Sequence, residues 1–347
     1  MSFLGLGKKN SFLGVDVGST SLKLVELTKE KGVPYLLTYG YAERSLGDVI
    51  KGDPKVVLAR VAALLKKLYT ESGIKTYKAV TALPNFSVFN SVITLPVMNK
   101  KELEAAVRWE AKKFIPMPIE EVVLDWRIID TIQVGQKRKN YRILLTAASR
   151  KLVKRYVEIF KQADLELLSL ETESFALARS LIGKSQATTM IIDTSALTTD
   201  IIIIEKGIPA FNRSIDVGGI TISRAIANSL NVDFKRAEQF KRDIGMAGGS
   251  KIPQVIEGIL KPVVDEMHYS LKLYQDQSGK MVEQIILSGG SAYLPNLVNY
   301  FSKVIDLRIL VGNPWSKIAY AEDLKPALEE VAPRFAVAVG LALREID

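Results

Sequence analysis

Three short segments carry residue types suited to handling phosphate. In the first, FLGVDVGSTSLKLVEL at 12–27, an apolar run delivers Asp16 to a turn at Gly18, Ser19 and Thr20, with Lys23 just beyond. In the second, MIIDTSALTTDIIIIE at 190–205, Asp193 leads into Thr194 and Ser195. The third runs from Ile285 and ends in Ser288, Gly289, Gly290 and Ser291. Glycine and small hydroxyl residues let backbone N–H groups approach an anion closely, so such turns form phosphate cradles. Asp16 and Asp193 would repel bare phosphate. They make sense beside it when a hydrated Mg2+ lies between, because Mg2+ keeps its waters and takes only one or two carboxylates. The combination implies a Mg–nucleotide. Any one of these turns is also an ordinary tight hairpin, so their order and spacing carry the signal.

The elements that hold these turns follow from periodicity. Leu22, Leu24 and Leu27 alternate after the first turn, which predicts a β-hairpin. Asp193 lies 177 residues after Asp16, and Ser195 falls where Gly18 stands, so the second segment reads as an internal duplicate. Duplication implies two similar lobes with a cleft between them. Val57, Val61, Leu64, Leu65 and Leu68 predict a helix from an Asp53-Pro54 start. A second helix is predicted over Lys100–Phe114, capped by Asn99 with Glu102 in a capping-box pattern. Its expected buried stripe is Leu103, Ala106, Val107, Ala111 and Phe114, and Pro116 and Pro118 stop it. Strands are expected at Val122–Ile129 and Tyr141–Ala148, with Lys137, Arg138 and Lys139 at the tip between them. Ser149 caps a third helix with Leu152, Val153, Tyr156, Val157 and Phe160 facing inward. Pro295 starts the helix behind the third turn, and Ala336–Leu343 is a small-residue helix suited to close packing.

Composition narrows the function classes. The chain has 347 residues, 48% of them hydrophobic, enough for a substantial core and roughly two domains. With no cysteine, disulfides, iron–sulfur clusters and thiol catalysis are excluded. The single histidine, His268, excludes a His-rich metal site and reads as a structural or surface residue. No apolar run approaches the ~18–20 residues of a membrane-spanning helix. MSFLGLGKKN has its basic pair after the apolar stretch, so no signal peptide is expected. The net charge is +9, and +8 of it falls between Lys137 and Lys161, where Glu158 is the sole acid. One local cluster is unlike the broad basic face of a nucleic-acid binder. It is either a solvated surface or a contact for anionic lipid or an acidic partner.

GVDVGSTSLKLVEL resembles the first phosphate motif of the actin-like ATPase superfamily, MIIDTSALTTDIIII stands where the second belongs, and ILSGGSAYLPNL resembles the adenosine motif. Leu170–Ala176 and Ala336–Leu343 are similar to the two connecting helices. ALPNFSVFNSVITLP, the helix running into EAKKFIPMPIEEVVLDW, and the stretch on to LETESFALAR resemble the inserted subdomain of the PilM family of type IV pilus assembly proteins. EAKKFIPMPIEEVVLDW is the most specific piece. The resemblance implies an α/β, actin-like (ribonuclease H-like) two-lobed fold with duplicated mixed sheets and an inserted α+β subdomain. It divides the chain into a first-lobe core at 1–77, completed by 166–189 and 306–347; an inserted subdomain at 78–165; a second-lobe core at 190–220 and 281–305; and a helical subdomain at 221–280.

The same resemblance implies ATP and Mg2+ as cofactors. Gly18, Ser19, Thr20 and Lys23 would form the first phosphate loop, and Asp193, Thr194 and Ser195 the facing one, with Asp16 and Asp193 reaching Mg2+ through water. Gly218 and Gly219 would close the crossover, Glu238 and Lys241 contact ribose and adenine, and Ser288, Gly289, Gly290 and Ser291 complete the pocket. Glu173 would orient the attacking water. Relatives carry D-x-G in the second loop, where this chain has Ser195. A Cβ there restricts approach to the γ-phosphate, so nucleotide binding is expected with at most weak hydrolysis. The implied setting is cytoplasmic, at the inner face of the inner membrane. The implied partner is the N-terminal tail of PilN, with other pilus platform and motor proteins, peripheral membrane association and self-association as further contacts and no nucleic acid. Alternatives on the fold are an FtsA-like filament protein and a small-molecule kinase. The chain stops at Leu343–Asp347 without the amphipathic helix that FtsA carries, and no catalytic carboxylate beside a sugar-binding stretch is visible.

Overall fold

The computed structural model describes residues 11–43, 54–134, 138–249 and 251–346. The first hairpin pairs β1 (Ser11–Val17) with β2 (Ser21–Glu30) antiparallel, and β3 (Val33–Glu43) follows. Leu13, Val15, Leu22 and Leu24 pack on one face of this sheet and Val25, Leu27 and Leu36 on the other, so it is buried on both sides. Helix α1 (Pro54–Glu71) covers the first face, and β4 (Lys78–Leu83) joins β1 in parallel. Asp53, its expected start, lies outside the described residues.

The chain then leaves this sheet. Strand β5 (Val88–Pro96), α2 (Lys100–Phe114), β6 (Val122–Val134) and β7 (Arg138–Ser149) build a separate three-stranded sheet in the order β5-β7-β6. Leu103, Val107 and Ala111 of α2 pack on Ile93, Ile143 and Leu145. Asn99 caps α2 by accepting from the Glu102 N–H at 3.0 Å. Phe114 points to solvent and Ile115 fills the inward place, because the stripe advances by four after Ala111. Strands β6 and β7 are longer than expected, so Arg138 and Lys139 belong to β7 rather than a tip, and Lys137 lies outside the described residues. Helix α3 (Arg150–Gln162), capped by Ser149, buries Tyr156, Ile159 and Phe160, while Val157 is exposed.

Strand β8 (Glu166–Thr172) returns to the first sheet beside β4, completing the order β3-β2-β1-β4-β8. Leu170 to Thr172 are therefore strand, and the connecting helix α4 (Glu173–Leu177) starts at Glu173. A second sheet follows from β9 (Thr189–Thr194), β10 (Thr199–Glu205) and β11 (Ile208–Ile215). Helices α5 (Gly219–Leu230), α6 (Phe234–Asp243) and α7 (Ile252–Ser278) precede β12 (Gln284–Ser288), α8 (Leu297–Val304) and β13 (Arg308–Val311). The strand order is β11-β10-β9-β12-β13, the same succession as in the first sheet. Two segments sit in other sheets than the expected divisions put them: Lys78–Leu83 in the first and Arg308–Val311 in the second.

After α9 (Lys325–Val331), helix α10 (Ala336–Leu343) runs between the sheets with every residue buried. Gly340 comes so near α4 that a Cβ would stand 1.9 Å from the Ala176 carbonyl oxygen. Gly14 on β1 meets Ala338 of α10 just as closely, at 2.1 Å.

Candidate functional site

The ends of β1, β9 and β12 and the starts of α4 and α5 open on one cleft of about 630 Å3 between the two sheets. Gly18, Ser19 and Thr20 line it from the first hairpin. Asp16 and Lys23 face each other in the strand register, and the Lys23 ammonium donates to Asp16 Oδ2 at 2.7 Å. This charge is neutralised within the hairpin.

The second hairpin differs. Asp193 stands opposite Asp200 in the β9–β10 register, at the positions equivalent to Asp16 and Lys23. Burial pushes Asp193 up to about 6, although the Ser288 hydroxyl restrains it. Burial likewise pushes Asp200 up to about 7, against hydrogen bonds from Ser214 and Asn85. Glu173, at the first position of α4, is raised by burial and then by the charges of Asp200 and Asp16. These acids converge on the cleft beside Lys23, whose ammonium is already paired with Asp16; Lys241, Arg242 and Arg334 also line the cleft.

Asn85, just after β4, ties the acids together. Its backbone N–H donates to Glu173 Oε2 at 2.9 Å, and its side-chain amide reaches Asp200 Oδ2 at 3.4 Å. Its carbonyl oxygen accepts from the Ser174 hydroxyl at 2.7 Å. A buried asparagine with each group used fixes three separate segments relative to one another.

The rest of the cleft is built from three loops. Ser195 lines it, but its backbone N–H donates to Thr198 O at 2.8 Å and its hydroxyl folds into the same turn. Gly219, at the start of α5, gives its carbonyl to the Lys241 ammonium at 3.1 Å. Lys241 also donates to Glu238 Oε2 at 2.7 Å, and Ser223 completes this group. Burial opposes the Glu238 carboxylate, but Lys241 outweighs it and holds the group below its usual range. Gly289, Gly290 and Ser291 form the third wall with Pro333 and Arg334. Gly289 has φ +82°, and a Cβ there would meet Thr194 O at 2.3 Å, so this turn requires glycine.

Three expected site residues do not line the cleft. Thr194 faces away from it by strand alternation and bonds Thr199 at 3.2 Å. Gly218 backs against Ala196 and Leu197, and Ser288 is buried behind the loop, touching Asp193. His268 is exposed on α7, well removed from the cleft lining. Asp200, Asn85 and Arg334 were not anticipated. Asp200 could have been found by carrying the 177-residue offset one step further, from Lys23. Among the described residues no group of three or more acidic or histidine side chains is arranged to grip a metal directly.

Two five-stranded sheets of equal order, crossed by α4 and α10 around a shared cleft, define an actin-like two-lobed fold. MreB 5 of Spiroplasma citri bound to AMPPNP matches it with a TM-score of 0.53 at 15% identity, over 96% of this chain and 95% of that one. The profile of a narrower family, type IV pilus assembly protein PilM, matches residues 14–346, and the chain belongs to that family. A solved PilM-PilN type IV pilus biogenesis complex matches with a TM-score of 0.85 and 30% identity, covering 97% of this chain and 98% of that chain. The cell division protein FtsA of Neisseria meningitidis is more distant, 21% identical over 67% of this chain and 64% of its own length. Two of the curated relatives that the chain matches are spanned over about half and about two thirds of their length.

Proposed function

We propose that this chain is the ATP-binding component of a type IV pilus inner-membrane assembly platform, and that nucleotide state sets its hold on the N-terminal tail of PilN. The observation that carries this reading is the cleft itself: glycine and hydroxyl turns beside buried Asp193 and Asp200, neither of which has an ion-pair partner among the described residues. Such acids suit a hydrated Mg2+, which neutralises them without requiring three direct carboxylate ligands. When bound, Mg2+ would offset the charge of nucleotide phosphates. Asp193 and Asp200 hold it through water, with Asp16 a lesser contributor because Lys23 already satisfies it. Gly18, Ser19, Thr20, Gly289, Gly290 and Ser291 cradle phosphates and base, and Glu238 with Lys241 takes ribose and adenine. Thr194, Gly218 and Ser288 support these loops from behind.

Hydrolysis is slow in this reading. Glu173 would orient a water, but the Ser195 amide and hydroxyl are committed to their own turn rather than to the cleft. A donor missing from a developing charge costs rate more than ground-state affinity.

In this reading β10 would carry the coupling to PilN. Its cleft end, Asp200, meets Asn85 at the root of the inserted sheet. Its far end, Glu205, takes Arg142 of β7 at 3.2 Å, Tyr274 at 3.0 Å and Lys280. The inserted unit, continuous in chain with the first lobe and joined to its core by Val88 and Ala148, is thus also tied to the second. Closure of the lobes then shifts it against the first lobe, where a peptide groove would respond. The location follows: cytoplasmic, held at the inner face of the inner membrane through PilN. Among the described residues no helix is long and apolar enough to cross a membrane.

Calorimetric titration tests the reading. ATP should bind only with Mg2+ present at full affinity, and a PilN N-terminal peptide should bind with a Kd that changes on adding nucleotide. No heat from ATP in either condition would sink it, as would a peptide that fails to bind in both states.

A further inference from the structure

The outward face of α2 has a composition that nothing in the cleft explains. The stripe Leu103, Val107 and Ala111 faces the sheet, so at 100° per residue Lys101, Ala105, Trp109 and Lys112 occupy the opposite side. Trp109 is 68% exposed, the most exposed of the three tryptophans; Trp315 is buried and Trp126 partly so. The Lys112 ammonium sits 6.0 Å from the Trp109 ring centre. Lys100, Lys101 and Arg108 are exposed and have no ion-pair partner among the described residues, whereas Lys113 is held by Glu110. Of the helix acids, Glu102 shares the outward side with Trp109 and Glu104 lies on the flank, so Lys101 and Lys112 stand there against one acid. Val97, 45% exposed just before the helix, donates its N–H to Lys139 O at 3.1 Å. Exposed Lys139 of β7 therefore joins the N-terminal end of this face.

We propose that this face of α2 lies on an anionic lipid surface, with Trp109 at the headgroup level and Lys101, Arg108, Lys112 and Lys139 against lipid phosphates. An indole with one apolar body and one polar edge favours the membrane interface, and flexible lysines bury their stems there while their charges reach headgroups. The positive balance complements anionic lipid. A protein partner is the poorer fit, since aromatic anchors at protein interfaces sit within apolar neighbours that exclude water. The helix neighbours of Trp109 are Ala105, Ala106, Lys112 and Lys113 instead. One aromatic and a few cations bind weakly but measurably at high lipid concentration, and beside a second tether the same contact also orients the molecule.

The full chain, without nucleotide or PilN peptide, should cosediment with vesicles of roughly one-third phosphatidylglycerol in phosphatidylcholine and not with phosphatidylcholine alone. Tryptophan emission should shift to the blue on binding. Lys101→Glu and Lys112→Glu should each weaken association about fivefold or more, and raised salt should do the same. Trp109→Ser should abolish the emission shift and weaken binding several-fold, with its melting temperature unchanged as proof of folding. Lys151→Glu with Lys154→Glu, on α3, removes equal charge elsewhere and should leave binding intact. The proposal is overturned by three results: no binding to the anionic vesicles, equal loss in the α3 control, or a Trp109→Ser effect on self-association in place of lipid.

Discussion

The two hairpins that open on the cleft are built alike and charged differently. In the first, Asp16 faces Lys23 across the register and the pair closes at 2.7 Å. In the second, the equivalent positions hold Asp193 and Asp200, two acids with no lysine between them. One hairpin is electrically complete as folded. The other carries no such internal partner, and burial raises both of its acids. The scaffold occurs twice, and a single position per hairpin decides whether its leading aspartate is paired within the hairpin.

The largest expected effect comes from breaking the self-sufficient pair. Lys23→Met leaves Asp16 buried near Asp193 and Glu173, and should cost about 3 kcal/mol or more of stability in thermal or urea unfolding. Adding Asp16→Asn should recover most of that loss; no recovery would mean that the pair is not what Lys23 supports.

Next in size is the reverse change in the second hairpin. Asp200→Asn should stabilise the nucleotide-free chain by about 2 kcal/mol at pH 8 and by nearly nothing at pH 4, while weakening the Mg2+ dependence of ATP binding. Equal stability gains at both pH values would break the comparison.

The unmodified chain should show the same contrast as a pH profile. Asp193 and Asp200 have folded values raised above those of the unfolded chain. Their protonated forms thus favour the fold below about pH 4, and this contribution is lost as pH rises through about 6 to 7. Glu205 has the opposite sign. Burial opposes its charge, but Arg142 and Lys280 outweigh that and hold it at about 2, so its contribution is present above about pH 4.5 and lost on acidification. Stability without nucleotide should peak near pH 5, and Asp200→Asn should flatten the alkaline limb alone.

The smallest effect concerns Ser195. Ser195→Gly, by loosening the turn that captures its amide, should raise steady-state phosphate release several-fold and change the ATP Kd by less than about twofold. An unchanged rate would move the restraint to Glu173 or elsewhere.

Much of this architecture was legible from periodicity. The hairpins, the duplication and α2 all declare themselves through alternation, turn residues and a cap that depend on near neighbours. Asp200 was within reach, had the whole hairpin rather than its turn been laid over its partner. Asn85 was not, because its significance lies in an aspartate 115 residues away and in a helix start 88 residues on. The basic cluster misled for a geometric reason. Residues contiguous in sequence are carried apart by β7, whose 12 residues at about 3.4 Å each put Arg138 and Ser149 roughly 37 Å from one another. Lys139 therefore joins Lys100 beside α2, and Lys151 to Lys161 sit on a different surface.

Gly14 and Gly340 bear on how variation in such a chain should be interpreted. Each is a place where backbone presses on backbone, so replacement by alanine must force β1, α10 or α4 apart. A saturation screen for pilus function would score these two glycines as intolerant as Asp193, although neither lines the cleft. Intolerance at these sites would report the spacing of the two lobes. The screen would separate them from true ligand contacts only if abundance were recorded beside activity.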